Sequence, residues 1–412
     1  MASIPAQRVA EPAAKASRLW WRVHQWVGLK LSIFMAFVCL TGSIAVLSNE
    51  IDWLIHPSLR VSPASVQGPV RWDRIAEAAA RYEPGVGRIQ YIGAPIASAF
   101  AARVSFERPD KTLGYLHAHP TTGRIQGEQG FVDTHRIFRN LHRHLNLPTK
   151  YGVPLVSLLS ILLTISVVTS FVVYKKWWRG FWKPIRTRDA RTGWGDFHRL
   201  AGVWSLWFVA LIAVTGLWYL VESLGGDAPA MPKAEVEPVT MPLPDLAARL
   251  GPALAAARAA APDLVIEQIG FPAKKSGAFL IQGQRQAILV RPRANTVFVA
   301  AGNGRALLAT DARDLGIHTR ISEMADPLHF GTWGGYWTKI PWFLFGLAMT
   351  ALSVSGVAIY GLRIGRELHL ANTTRVVWNR AWAGMGLWRW PALACVAIGL
   401  AMLPTLFMTA SE

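Results

Sequence analysis

Two pairs of histidines recur at matched places in this 412-residue chain. His24 and His198 are each followed by a glycine 4 residues on (Gly28, Gly202) and by a Thr-Gly step beginning 17 residues on (Thr41-Gly42, Thr215-Gly216). Leu141-His142 and Leu328-His329 form the second pair, 32 and 31 residues ahead of Tyr174 and Tyr360. Neutral imidazoles from two membrane helices suit the two axial positions of a haem iron, and a porphyrin replaces apolar side chains between helices. Glycine one turn after His24 and His198 removes bulk beside the ligand, so a flat macrocycle can approach the backbone. Arg18, Arg22 and Arg199 near the first pair, and Arg139, Arg143 and Lys339 near the second, are cations suited to haem propionates or to lipid phosphates. A helix from His24 to Leu47 rises roughly 35 Å, too far for one cofactor to bridge, so two b-type haems are expected. Against this stands the plainer reading of an interfacial histidine as a headgroup contact.

The second pair leaves a choice among His142, His144 and His135. His135 and His142 are seven apart and share a helix face, His144 lies elsewhere on the helix, and Pro148 interrupts it before the bilayer. His142 is preferred because its Leu-His context matches Leu328-His329. His117 and His119 alternate on an expected solvated strand, and His56, His318 and His369 show no partner pattern. Gly331, Gly334 and Gly335 around Trp333 and Trp337 read as a flexible aromatic loop beside His329, either an interfacial turn or an approach for a bulky electron acceptor.

The elements that must position these residues are membrane helices. Gly152–Tyr174, Leu200–Val221, Ile340–Leu362 and Trp390–Ala410 carry no charge, and Trp26–Leu47 carries only Lys30, expected to snorkel to the headgroups. Five spans follow. Basic residues crowd three short segments: Arg8 to Arg22 before the first span, Lys175 to Arg199 after the second, and Arg363 to Arg389 after the fourth. These are therefore read as cytoplasmic. The division is 1–49 cytoplasmic N-terminus and first span, 50–140 outer module, 141–174 second span, 175–195 basic loop, 196–221 third span, 222–335 outer module, 336–362 fourth span, 363–389 loop and 390–412 fifth span. In each outer module a helix (72–82; 245–260) precedes strands, expected at 87–92, 99–107 and 113–119, then at 264–271, 277–283, 286–291 and 296–301. The fold class is a mainly α helical transmembrane bundle with two periplasmic α+β modules, in a bacterial inner membrane. The net charge of +18 and 43 Lys plus Arg are then a topology signal, and no nucleic-acid partner is needed. Only Cys39 and Cys395 are present, which excludes a disulfide framework, a thiolate-ligated iron–sulfur cluster and C-x-x-C-H haem attachment.

Trp21-Arg22-Val23-His24 with Gly28-Leu29, its copy His198-Arg199 with Gly202, Leu141-His142, and above all Asp326-Pro327-Leu328-His329-Phe330-Gly331-Thr332-Trp333-Gly334-Gly335 resemble the PepSY-associated transmembrane family. The outer modules look like PepSY domains. The resemblance implies iron-regulated membrane proteins and di-haem ferric-siderophore reductases, with His24, His198, His142 and His329 as axial ligands. Electrons would pass from a quinol or a separate cytoplasmic donor, through two haems, to a ferric siderophore in the periplasm. A transporter or ligand-binding membrane protein with a histidine proton relay is the rival reading, and a scaffold restraining a periplasmic protease a third.

Overall fold

The computed structural model describes residues 12–83, 85–273, 275–367 and 373–408; Arg8, His369 and the residues around Ala410 lie outside them. In chain order, helices α1 (Pro12–Lys30), α2 (Ser32–Val46), α3 (Ser48–Ile55) and α4 (Trp72–Ala80) precede strands β1 (Arg88–Gly93), β2 (Ala102–Glu107), β3 (Leu113–Ala118) and β4 (Ile125–Gly130). Helices α5 (Thr134–His144), α6 (Thr149–Ser157), α7 (Leu159–Val173), α8 (Ala190–Ser223), α9 (Leu243–Ala248) and α10 (Leu250–Ala260) lead to the second set of strands. These are β5 (Val265–Gly270), β6 (Ala278–Gln284), β7 (Thr296–Ala300) and β8 (Ala306–Ala309), followed by α11 (Ile317–Phe330), α12 (Tyr336–Glu367), α13 (Thr374–Met385) and α14 (Arg389–Ala401). The chain forms two compact units.

The helical unit comprises the segment ending at Ser43 together with Leu141–Ser223 and Phe343–Ala401. Four stretches are long and apolar enough to cross a bilayer: Thr149–Val173, Ala190–Ser223, Tyr336–Arg366 and Thr374–Met408. The first expected span is broken. α1 and α2 meet at a 66° bend, and Lys30 at the break does not reach for headgroups; its ammonium donates to the Gly384 carbonyl at 2.7 Å. That carbonyl belongs to the last turn of α13, where helix acceptors are unsatisfied and the dipole favours a cation. α5 ends at His144, and Pro148 stands as the N-cap of α6. The two residues Leu145 and Asn146 both take left-handed backbone, φ 56°. Burial fixes the turn: Leu145 is fully enclosed against Phe34, Val38 and Leu159, and the Asn146 amide donates to Gly399 O at 3.0 Å.

The other unit holds Ile44–Asn140, Leu224–Trp342 and the residues from Met402. Here the expected pair of modules merges into one antiparallel sheet, ordered β4-β3-β2-β1-β5-β6-β7-β8. β1 (RIQYIG) and β5 (VIEQIG) are copies of one another, and they pair through equivalent residues: Ile92 faces Ile269, Tyr91 faces Gly270 and Gly93 faces Gln268. Each strand also carries a register irregularity at the same place, between Ile89 and Tyr91 and between Ile266 and Gln268. The join is thus a local two-fold, with Phe271 N donating to Gln90 O and Ala94 N to Glu267 O as its mirror bonds. One core serves both halves, because α4 and α10 lay Ile75, Ala79, Leu250 and Leu254 over Ile89, Val104, Phe106, Ile269, Phe279 and Val297. Residues 286–291, expected as a strand, are a loop. Leu289 has φ 56°, and Val290 is buried with Ala287, Ala294 and Ala312 in a separate small cluster.

Candidate functional site

His24 on α1 and His198 on α8 line one cavity of about 470 Å³, walled by α1, α2, α7, α8 and α12. They lie within electrostatic reach of one another. His24 Nδ1 is 2.8 Å from Thr169 Oγ1, and that hydroxyl donates to the Ile165 carbonyl at 2.7 Å. His198 Nδ1 is 2.8 Å from Ser355 Oγ, whose hydroxyl donates to Leu352 O at 3.2 Å. A hydroxyl that gives its proton to its own helix leaves its oxygen to accept from Nδ1–H, and this is the tautomer each pairing favours. Nε2 is left as the basic nitrogen. Fixing one ring nitrogen in this way sets the tautomer and orientation of a metal-binding histidine.

The glycines fit a flat group. A Cβ on Gly28 would meet nothing within 4 Å, and one on Gly202 only Leu352 Cδ2 at 3.6 Å; both residues border the cavity. The volume falls within the roughly 300–1,000 Å³ of small-molecule and cofactor sites. Among the described residues lining it there is no Asp or Glu.

The basic residues are arranged differently from the simple list of neighbours. Arg22 is exposed on α1 and does not line the cavity. Arg199 lines it, but its guanidinium donates to Gly180 O at 2.8 Å and Lys183 O at 3.0 Å, tying down the loop before α8. Arg191 and Arg363 also line the cavity, and Arg363 lies over the Trp21 ring at 4.5 Å. Sequence reasoning treated both only as topology charges. Thr169 and Ser355 were missed too, although a signal existed: each stands 5 residues before the repeated tyrosines, Tyr174 and Tyr360.

His142 and His329 belong to different units. The His142 Nδ1–H donates to Val38 O at 2.8 Å, giving it the same tautomer as His24 and His198. Its ring rests on α2 where a Cβ at Gly42 would lie 2.6 Å from it, so this glycine of the repeat is required by close approach. Gly216, its counterpart, admits Ser160 instead. His329 sits in the last turn of α11. Gly331 caps that helix in left-handed conformation, φ 66°, under the Trp342 ring, which donates from Nε1 to Leu328 O at 2.8 Å. The loop that follows is organised: Thr338 Oγ1 donates to Gly331 O at 2.6 Å and accepts from Gly334 N at 3.0 Å. Trp333 and Trp337 remain exposed.

α11 is anchored to its sheet by charge. Glu323, almost fully buried, accepts from Arg291 at 2.7 Å and Arg293 at 2.8 Å, and Arg291 also reaches Asp326 at 3.0 Å. At the other sheet edge the Asp52 carboxylate caps α5, accepting from Thr134 N at 2.9 Å.

The remaining histidines support structure. His135 Nδ1 pairs with Ser48 Oγ at 2.8 Å, and burial pushes its imidazole down to about 4. His117 and His119 are not on a solvated face. Both are buried, bonded at 2.8 Å and 2.9 Å to Ser58 and Ser65, and so hold the 57–66 segment over the sheet. Burial, followed by Arg103 and His56 nearby, pushes His117 from 6.5 down to about 3. His144 is buried at the end of α5. Among the described residues no group of three or more His, Cys, Asp and Glu side chains is placed to hold a metal ion.

Apolar helices of spanning length, a histidine-lined cavity within them and a separate sheet-bearing unit define a multi-pass membrane protein. The chain belongs to the family described as the PepSY-associated TM region, which matches residues 21–363. No curated protein matches it.

Proposed function

We propose that this protein is a di-haem b-type electron-transfer protein of a bacterial inner membrane, with its N-terminus cytoplasmic, and that it reduces ferric siderophores or other ferric chelates on the periplasmic side. The observation that carries this reading is the matched state of His24 and His198. Both rings border one apolar cavity, and each has Nδ1 held by a hydroxyl whose proton is already given to backbone.

Haem b bound there would supply one-electron iron chemistry. The protein's own part is to present two neutral Nε2 donors, to keep the rings oriented through Thr169 and Ser355, and to exclude water with apolar walls. Two histidines held as ligands of such a haem would favour outer-sphere electron transfer over oxygen activation. His142 is the proposed ligand of a second haem, and its Nδ1–H, given to Val38 O as in the tautomer of His24 and His198, supports that role. A ferric chelator would lose its hold on reduction, since Fe(II) is the softer ion for hard oxygen ligands. A proton-relay transporter is less well supported, because no carboxylate lines the histidine cavity among the described residues.

The test is a reduced-minus-oxidised visible spectrum with haem stoichiometry. Two b haems per chain are expected, with loss of one on His24→Ala or His198→Ala, and reoxidation of the reduced protein by ferric siderophore. A purified chain without a Soret band would sink the proposal.

A further inference from the structure

A second cavity, of about 330 Å³, lies among α2, α12 and α13. Ser32 and Ser353 border both this space and the histidine cavity, and Ser353 stands two residues before Ser355, the partner of His198. The outer wall is made by Trp378, Asn379 and Trp382 on α13, with Val354 on α12. Asn379 is exposed, and its carboxamide makes no hydrogen bond within the protein among the described residues. Asn379 stands between Arg375 and Arg380 at the charged end of the stretch Thr374–Met408, where its amide is open to a polar group entering the cavity.

We propose that this cavity docks a membrane quinol, the electron donor to the His24–His198 site. The inference rests on the haem reading above. The site's chemistry favours that occupant: indoles at Trp378 and Trp382 to hold a flat ring, a carboxamide at Asn379 to bond a ring oxygen, and walls on three helices of membrane-spanning stretches. The volume is at the small end of ligand sites, roughly 300–1,000 Å³, which suits a ring head whose tail stays in lipid. Ser32 and Ser353, shared by the two linings, place this cavity beside the histidine cavity. The balance is simple: a quinol is oxidised to the quinone, two protons leave to water, and its two electrons each reduce one ferric iron to ferrous. Trp378, Asn379 and Trp382 lie beyond residue 363, where the family match ends.

The experiment uses the full chain in nanodiscs with a short-tailed azidobenzoquinone and the corresponding benzoquinol. Photolabelling, mapped by mass spectrometry, is expected on α13 between Trp378 and Trp382, and this readout does not depend on haem. Under anaerobic conditions Val354→Trp, which fills the space from a half-exposed position, and Asn379→Leu should each slow quinol-driven haem reduction by about tenfold or more. Dithionite-reducible haem in both variants should equal that of the parent. Labelling elsewhere, or a parent rate of quinol oxidation in the filled variant, overturns the proposal and marks the cavity as a lipid site. A chain that lacks haem but still labels at α13 would instead overturn the haem reading and leave a quinone-binding protein.

Discussion

Acid should loosen the sheet-bearing unit through one side chain. His117 is wholly enclosed, with burial and Arg103 holding its imidazole down from 6.5 to about 3. The folded unit therefore keeps it neutral where the unfolded chain would protonate it. Stability from this group is complete above pH 6.5, falls as pH drops below that value and stops falling near pH 3. Each pH unit in the window costs about 1.4 kcal/mol, so moving from pH 6.5 to pH 5 removes about 2 kcal/mol. His117→Asn keeps a donor for Ser58 but does not titrate. Pulse proteolysis in urea at pH 7 and pH 5, on the full chain in nanodiscs, measures the unfolding free energy of the unit. The parent should lose about 2 kcal/mol more than the variant between the two pH values. Equal pH dependence in both proteins would falsify the assignment and place the acid sensitivity at His135 or the carboxylates.

Thr169→Val and Ser355→Ala remove the acceptors that fix His24 and His198, and each should weaken cofactor retention by about 10- to 100-fold, read as haem content after dialysis against apo-myoglobin. Gly42→Ala drives a methyl into the His142 ring and should cost about 1–3 kcal/mol of stability in detergent, whereas Gly28→Ala, which faces open space, should leave stability unchanged and lower haem content. Arg291→Met strips the main partner from buried Glu323 and should destabilise the α11 anchor by about 3 kcal/mol, with Glu323→Gln in the same chain recovering part of it, both followed by thermal unfolding.

The apolar stretches, the placing of His24 with His198 and the PepSY-associated family were legible because they depend on local composition and on exact spacing. The bend at Lys30 was not, since its cause is a carbonyl on α13 more than 350 positions away. β4 was hidden by its composition: IQGEQG carries two glycines and no apolar alternation, and its place in the sheet comes from pairing with β3. Residues 286–291 misled in the opposite sense. Their apolar run serves a small side cluster, and the positive φ of Leu289 breaks any strand there. Propionate partners chosen by nearness in sequence proved equally unreliable, because Arg199 spends its donors on loop carbonyls while Arg363, far along the chain, borders the cavity.

The join between β1 and β5 has a bearing on ancestry. Equivalent residues meet across it, Ile92 against Ile269, as in the isologous contact of a two-fold homodimer. A single-copy forebear of this chain would have carried β1 as a bare edge, and the self-complementary way to cover it is a second molecule in this same register. Gene fusion would turn such a concentration-dependent assembly into a permanent one. It would also release the two copies from identity, leaving equivalent positions such as Tyr91 and Gln268 free to differ.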